Sequence, residues 1–295
     1  VAGEVSTIQS LKAVDAWIDV INANINGGVR TAFKSSRLKF SGSNTDVQRA
    51  GTSTSLPLQF PEPGLTTANT VIDFSQGAIT ASTETTHLAL QGPGFFKLRP
   101  LNDPQGPNQQ VYYSRDGEFR WMKLPPGSMF YHSSTSLMVT PGYSVYLLVN
   151  SQGLVVCSDW YNTPGDAQAL HLIVNDATGV IEGGSDPTIV GTNRVADFLN
   201  QLFVQHVMMR DVANRQTLEF TRYGSTIFKP GSSSGTETVI TSNQATILSK
   251  SLEASNASMT QSVPELSLAQ KLFSALTKVL QTKQTNVDGV LNLVR

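Results

Sequence analysis

The chain has 295 residues, a formal net charge of −1 with only 15% charged residues, and a single cysteine, Cys157. That length supplies cores for one large domain or two ordinary ones, while near-neutrality without any Lys/Arg run excludes a nucleic-acid binder, whose phosphate contacts need a concentrated basic face. One cysteine excludes a disulfide framework and any multi-cysteine metal site, and no stretch approaches the ~20 apolar residues of a transmembrane helix. The chain as given carries no signal-peptide pattern, and its start on Val1 leaves processing ahead of that residue open.

Over 5–25 the apolar residues Ile8, Leu11, Val14, Ile18, Ile21 and Ile25 recur at spacings of three and four. This is one helical stripe, narrow enough for a coiled-coil seam. Gly27-Gly28 ends it. The polar stretch 41–55 then reads as a connector. Between 71 and 228 short apolar runs (HLAL, GFFKL, VYYS, LMVT, YSVYLLV, LVVC, LHLIV) alternate with Gly, Pro, Asn and Asp clusters, the pattern of a β-rich module of sandwich or distorted-barrel type. The best helix signal inside it is 195–205. A second polar connector covers 231–242, and a capping-box pattern, Ser262 to Glu265 with Pro264 in the first turn, opens the last element. Behind it come Leu266, Ala269, Phe273, Leu276, Val279 and Leu280, then Val287, Val290 and Leu291. A helix from 263 to the end would be about 50 Å long, with a fray or bend expected at 282–286.

The expected architecture is therefore α+β: a β-rich central module over 71–242, a linker or extended segment over 41–70, and long terminal helices pairing as a coiled coil, with 1–40 and 243–295 together forming the helical part. Two such helices bury their stripes on each other, on the middle module or on another chain, because isolated helices are marginal in water.

Signals for chemistry are weak. His87, His132, His171 and His206 lie far apart, outside any HExxH or HxH pattern. No GxSxG elbow, P-loop or GxGxxG turn is present; QGPGFF offers two glycines but no phosphate-binding lysine follows. Asp73, Glu84, Asp116 and Glu118 are dispersed carboxylates, which read as solvated faces before they read as a glycosidase pair. Cys157 sits in a β-like apolar run and reads as a buried, inert thiol. Asn256-Ala-Ser258 fits a glycosylation sequon, a pattern too common to weigh. The expectation is a protein without catalytic residues, cofactor or metal. In QGPGFFKL, Gly92 and Gly94 flank Pro93 in a tight turn entering a strand, whose pleat sends Phe95 and Phe96 to opposite faces. Those rings and Tyr112-Tyr113 form either a sheet core or an aromatic cleft.

Four stretches resemble the bacterial flagellar rod and hook proteins, the axial proteins of the flagellum. DVINANINGGVRTAFK, 19–34, is similar to the family's DVIANNLANVNTPGFK, matching at Asp19, Val20, Ile21, Asn24, Phe33 and Lys34. Gly27-Gly28-Val29-Arg30 replaces its Asn-rich turn, and Ala32 takes its glycine position. FSQGAITASTETTHLALQGPGFFKL, 74–98, keeps Gln76, Gly77, Thr83, Leu88, Gln91, Gly92, Gly94, Phe95 and Phe96 of a second motif, with His87 and Ala89 departing from it. Tyr113, Arg115, Asp116, Gly117 and Phe119 match YTRDGSF, followed by Gly142 and Tyr143 in VTPGYSVY. Ser255-Asn256 opens the C-terminal motif, whose QRAY…K element falls on Gln270, Lys271, Leu272, Phe273 and Lys278, with Lys271 in place of arginine.

The resemblance implies a structural subunit, exported to the flagellum, whose terminal helices pair in the core of a helical tube. Its partners would be copies of itself and other axial proteins. Two other settings stay open on the residues: a secreted β-rich carbohydrate-binding or carbohydrate-active module, and a non-flagellar surface filament built from the same module. The stretch 157–243 carries little of the resemblance.

Overall fold

The computed structural model describes residues 2–42, 46–49, 58–60, 64–101, 110–132, 135–158 and 168–293. Parts of the sequence readings therefore lie outside the described residues: 1 and 294–295 of the terminal helices, 43–45, 50–57 and 61–63 of the 41–70 segment, and 102–109, 133–134 and 159–167 of the central module. The chain divides into two compact units, Val1–Val29 with Lys34–Asp73 and Ala257–Arg295, and Arg30–Phe33 with Phe74–Asn256.

The first unit holds helix α1 (Ala2–Gly27) and a long C-terminal helix. In the stretch read as a connector, strand Ser36–Gly42 pairs antiparallel with Leu65–Ile72, bulged between Lys39 and Phe40, and Asp46–Arg49 pairs with Leu58–Phe60. Polar composition hides this ribbon, but Phe40 and Leu65 find partners in the helices. Phe40 meets Trp17 edge to face at 5.6 Å, and the Leu65 N–H donates to the Ser10 hydroxyl at 2.9 Å. Ser10 in turn donates to the Ser6 carbonyl, so a polar pair inside α1 also anchors the ribbon.

The second unit is built on an antiparallel sheet of twelve strands among the described residues. From one end its path runs Ile181–Gly184, His171–Asn175, Tyr143–Val149, Val155–Ser158, Phe95–Arg99, Tyr112–Ser114, Gly224–Lys229 and Glu219–Thr221. The two end strands are different, so the sheet is open and the expected barrel does not close. Short end strands carrying charged residues keep such edges from templating further pairing. Leu88, Phe96, Leu98, Phe119, Leu148 and Leu172 build the main core on one face. The helix expected over 195–205 splits into α2 (Val195–Asn200) and a 3-10 turn, Leu202–His206. Phe198 and Phe203 from these pack on Trp121, whose indole N–H donates to the Leu199 carbonyl at 2.8 Å.

Residues 243–256 join this unit rather than the helical part. Strand Thr246–Ser249 pairs with Leu88–Gln91 and Ser251–Glu253 with Ile79–Ala81. The long helix, α3 (Met259–Leu293), starts ahead of the capping-box pattern. The Ser258 carbonyl accepts from the Ser262 N–H, and the Ser262 hydroxyl also donates to that carbonyl, so Ser262 lies in the first turn instead of capping it.

Candidate functional site

Within the second unit the resemblance motifs meet at one residue that sequence reading did not single out, Glu253. One carboxylate oxygen accepts from the Gly77 N–H at 2.9 Å; the other faces Arg115 Nη1 at 3.2 Å. Both side chains are buried, at 3% exposure for Arg115 and 0% for Glu253. Arg115 also donates to the carbonyls of Leu90 and Gly92, and the Glu253 carbonyl accepts from the Ala32 N–H at 2.8 Å. Asn256 completes the junction, taking the Phe33 carbonyl with its N–H and reaching Ser75 with its amide. Gln76 brackets the neighbouring turn, donating to Leu90 O and accepting from Gly92 N. Burial pushes the Arg115 pKa down, while the charge of Glu253 works to hold the proton.

Four positions depend on missing or unusual side-chain geometry. Gly92 and Gly94 have φ of +113° and +102°, and a Cβ on Gly94 would overlap Ile240 Cδ1. Gly117 lies so close to the strand Leu88–Gln91 that a Cβ would overlap the Leu88 carbonyl oxygen. Ala32 sits at φ +53°, the left-handed region that disfavours a β-carbon. The two phenylalanines after Gly94 go to opposite faces and are both buried. Phe96 meets Phe119 at 5.2 Å in the main core; Phe95 packs with Phe74, Phe228 and Tyr113, with the Arg115 guanidinium 5.8 Å above its ring. These rings are core, and the aromatic-cleft reading of Phe95, Phe96 and Tyr113 does not stand. Gly142 turns at φ +91° and leads into the strand opened by half-buried Tyr143.

In the first unit α1 and α3 pack antiparallel. Lys283 Nζ donates to Thr7 Oγ1 at 3.0 Å, and a Cβ on Gly28 would lie 3.4 Å from Met259 Cε, so the contact runs some 30 Å along both helices. Inside this pair lie Val14, Ile21 and Ala269, flanked by Trp17, Ile18, Ile25, Leu266 and Leu276. The inward positions of α1 are Thr7, Ser10, Val14, Trp17 and Ile21, so the buried stripe is turned relative to the purely apolar one. Ile8 is 44% exposed and Leu11 half-buried. On α3, Leu266, Leu276 and Leu280 are half-buried, whereas Phe273 and Val279 are exposed with Leu268, Leu272, Val287, Val290, Leu291 and Leu293. Gln270 and Lys271 are also exposed. The Asn24 amide closes a two-way bond with the Ser36 backbone, at 2.7 and 2.8 Å, fixing the exit from α1. Lys34 is fully buried, as is Phe33 nearly so.

Among the described residues no group of three or more His, Cys, Asp or Glu is placed to hold a metal, and no helix is long and apolar enough to cross a membrane. Burial pushes the Cys157 thiol up to about 11. His206 pairs with Asp186 at 3.2 Å, His87 with Ser82 at 2.7 Å, and His171 lies against the Ala169 carbonyl. Half-buried Asp116 has its carboxyl pushed up to about 6, by burial first, against the pull of the Glu118 N–H.

No protein-family model matches the chain. It is similar over nearly its whole length to the flagellar basal-body rod protein FlgG of Bacillus subtilis (strain 168), with 23% identity over 302 residues covering 98% of each chain. This is distant homology, and at the level of the family it suggests the flagellar rod and hook proteins.

Proposed function

We propose that this chain is a structural subunit of a flagellar rod-type tube, exported from the cell and polymerised through α1 and α3. The observation that carries the reading is the apolar face of α3 left over after α1 has taken its share. Leu268, Leu272 and Val279, then Val287, Val290, Leu291 and Leu293, stay exposed along the helix. Covering such a set recovers on the order of 1 kcal/mol for each half-exposed side chain. A monomeric protein rarely leaves so long an apolar strip uncovered.

On this reading α1 and α3 form a coiled-coil pair, which the cluster of Val14, Ile21 and Ala269 between them supports. The outer residues Ile8, Phe273 and Val279 then meet copies of the same chain. A contact between different faces of identical subunits generates a helical polymer when its rotation does not close into a ring. The low charge density suits close stacking, because repulsion between many copies stays small. Other axial proteins of the flagellum would cap or continue the tube through the same helices. Near full-length similarity to a rod protein supports this reading. Electron microscopy of the concentrated protein tests it: regular tubes are expected, and a protein that stays monodisperse at every concentration and salt condition refutes it.

A further inference from the structure

At the open end of the sheet in the second unit lies a cleft of about 540 Å³, lined by Gln110, Tyr112, Phe220, Thr221, Arg222 and Lys229 among others. That volume is in the ~300–1,000 Å³ range of small-molecule sites. No residue of the motif junction or of the α1–α3 pair lines it, so the proposed assembly role leaves it unexplained.

The guanidinium at its mouth is held in place without a counter-charge. Arg222 Cζ stands 5.1 Å over the Tyr223 ring, and its Nη2 donates to the Tyr223 hydroxyl at 3.2 Å. Tyr223 is held edge to face on Tyr112 at 5.3 Å, and the Tyr112 hydroxyl donates to Gln110 Oε1 at 2.9 Å. The row Gln110–Tyr112–Tyr223–Arg222 thus immobilises a cation. Arg115, Arg194, Arg210 and Arg215 each face a carboxylate, but Arg222 has no such partner among the described residues. The second cation of the lining, Lys229, is already paired, with Glu219 at 2.9 Å.

We propose that this cleft binds an acidic oligosaccharide, one carboxylate seated on Arg222 and a neighbouring pyranose ring against the exposed Phe220 of its lining. A guanidinium fixed in advance spends little ordering entropy on a carboxylate, and its planar fork matches that group. The C–H edge of a sugar ring is complementary to the negative face of an aromatic ring. A polyphosphate ligand is disfavoured: it needs more than one unpaired cation. An extended peptide is disfavoured too, because the edge strand Glu219–Thr221 is only 3 residues long and offers few ladder bonds.

The test uses the full chain, oligogalacturonate as the acidic probe, and the same oligosaccharide methyl-esterified as its neutral twin. Binding is followed by calorimetry and by NMR shifts of the aromatic ring protons. Saturable binding of the acid form is expected, with the ester at least tenfold weaker and shifts at Phe220 and at Tyr223, which touches Arg222. Arg222→Gln, at an exposed position, should fold normally and bind the acid form about tenfold or more weakly, as for a lost charged hydrogen bond. No saturable binding, equal binding of acid and ester, or unchanged binding by R222Q overturns the proposal. Equal binding of oligoglutamate also overturns it, since charge alone would then suffice. None of these outcomes bears on polymerisation, which the microscopy tests separately.

Discussion

Arg115 Nη1 stands 3.2 Å from Glu253 Oε2, and the two side chains are almost wholly buried. Two further Arg115 bonds go to backbone carbonyls and one Glu253 bond comes from the Gly77 N–H, so neither charge relies on its partner alone. That arrangement ties four separate stretches of the chain to one point. Desolvation offsets most of the attraction in such a pair, but losing one member strands the other charge.

Arg115→Met should therefore destabilise the second unit by ~3–5 kcal/mol, read as a lowered urea midpoint in fluorescence from Trp121. The double variant R115M/E253M should recover a large part of the loss, because no unpaired charge remains. A double variant as unstable as the single one would show that the backbone bonds, not the charges, hold the junction.

Glycine positions give a graded series. Gly117→Ala places a Cβ on the Leu88 carbonyl oxygen, and Gly94→Ala combines an overlap with Ile240 and a φ of +102°. Gly142 has φ +91° but nothing within 4 Å of a Cβ. G142A should cost only the conformational ~1–2 kcal/mol, with G94A and G117A costing more, since backbone must shift. Thermal midpoints of the three variants check the order. By the same reasoning Ala32→Gly should relieve strain at φ +53° and raise the midpoint slightly, the stability gain being at most ~1 kcal/mol once the freer unfolded chain is counted.

The junction explains how much of this was legible in the residues. The terminal helices show because a stripe repeated over six turns is a local signal, and the pleat assigns Phe95 and Phe96 to opposite faces. Glu253 does not show: it stands in the polar run SKSLEASNAS, and its partners Gly77 and Arg115 lie far away in sequence. The ribbon of 36–72 was hidden for a related reason, its alternation being too polar to mark a buried face. Val14, Ile18, Ile21 and Ile25 of the apolar stripe reach the helix pair, but hydrophobicity does not show that Ser10 turns inward to take the Leu65 N–H while Ile8 stays exposed.

A pH dependence follows from Asp116. Its folded pKa, about 6, lies above the unfolded value of 3.8, so the folded state binds the proton more tightly. The resulting stability is full below ~pH 4 and is lost as the pH rises through 6. Asp186 and Asp211 are shifted the other way: bonds from Thr188 and Arg215 outweigh the upward push of burial. Their contribution is present above pH 4 and is lost as the pH falls further, outside the Asp116 window. Asp116→Asn keeps the acceptor for the Glu118 N–H and removes the titration. Between pH 4 and 6 the native chain should lose on the order of 1 kcal/mol relative to D116N, measured by denaturant unfolding at each pH. Parallel curves would locate that titration elsewhere.

The α3 face separates intramolecular packing from assembly. Leu272→Asp and Leu268→Asp alter exposed positions, so the monomer should keep its helix content and its protection from amide exchange over 266–280. The same changes should abolish tubes, because each buries a carboxylate in the covered interface at a cost of several kcal/mol. Ala269→Asp, at a position with 0% exposure between the helices, should instead loosen α1 from α3 already in the monomer and shorten exchange protection there. Sedimentation velocity and electron microscopy report the polymer, and hydrogen exchange reports the pair. If L272D and L268D assembled normally while A269D alone failed, the exposed strip would have no part in the tube, and the contacts between copies would have to be sought on the second unit.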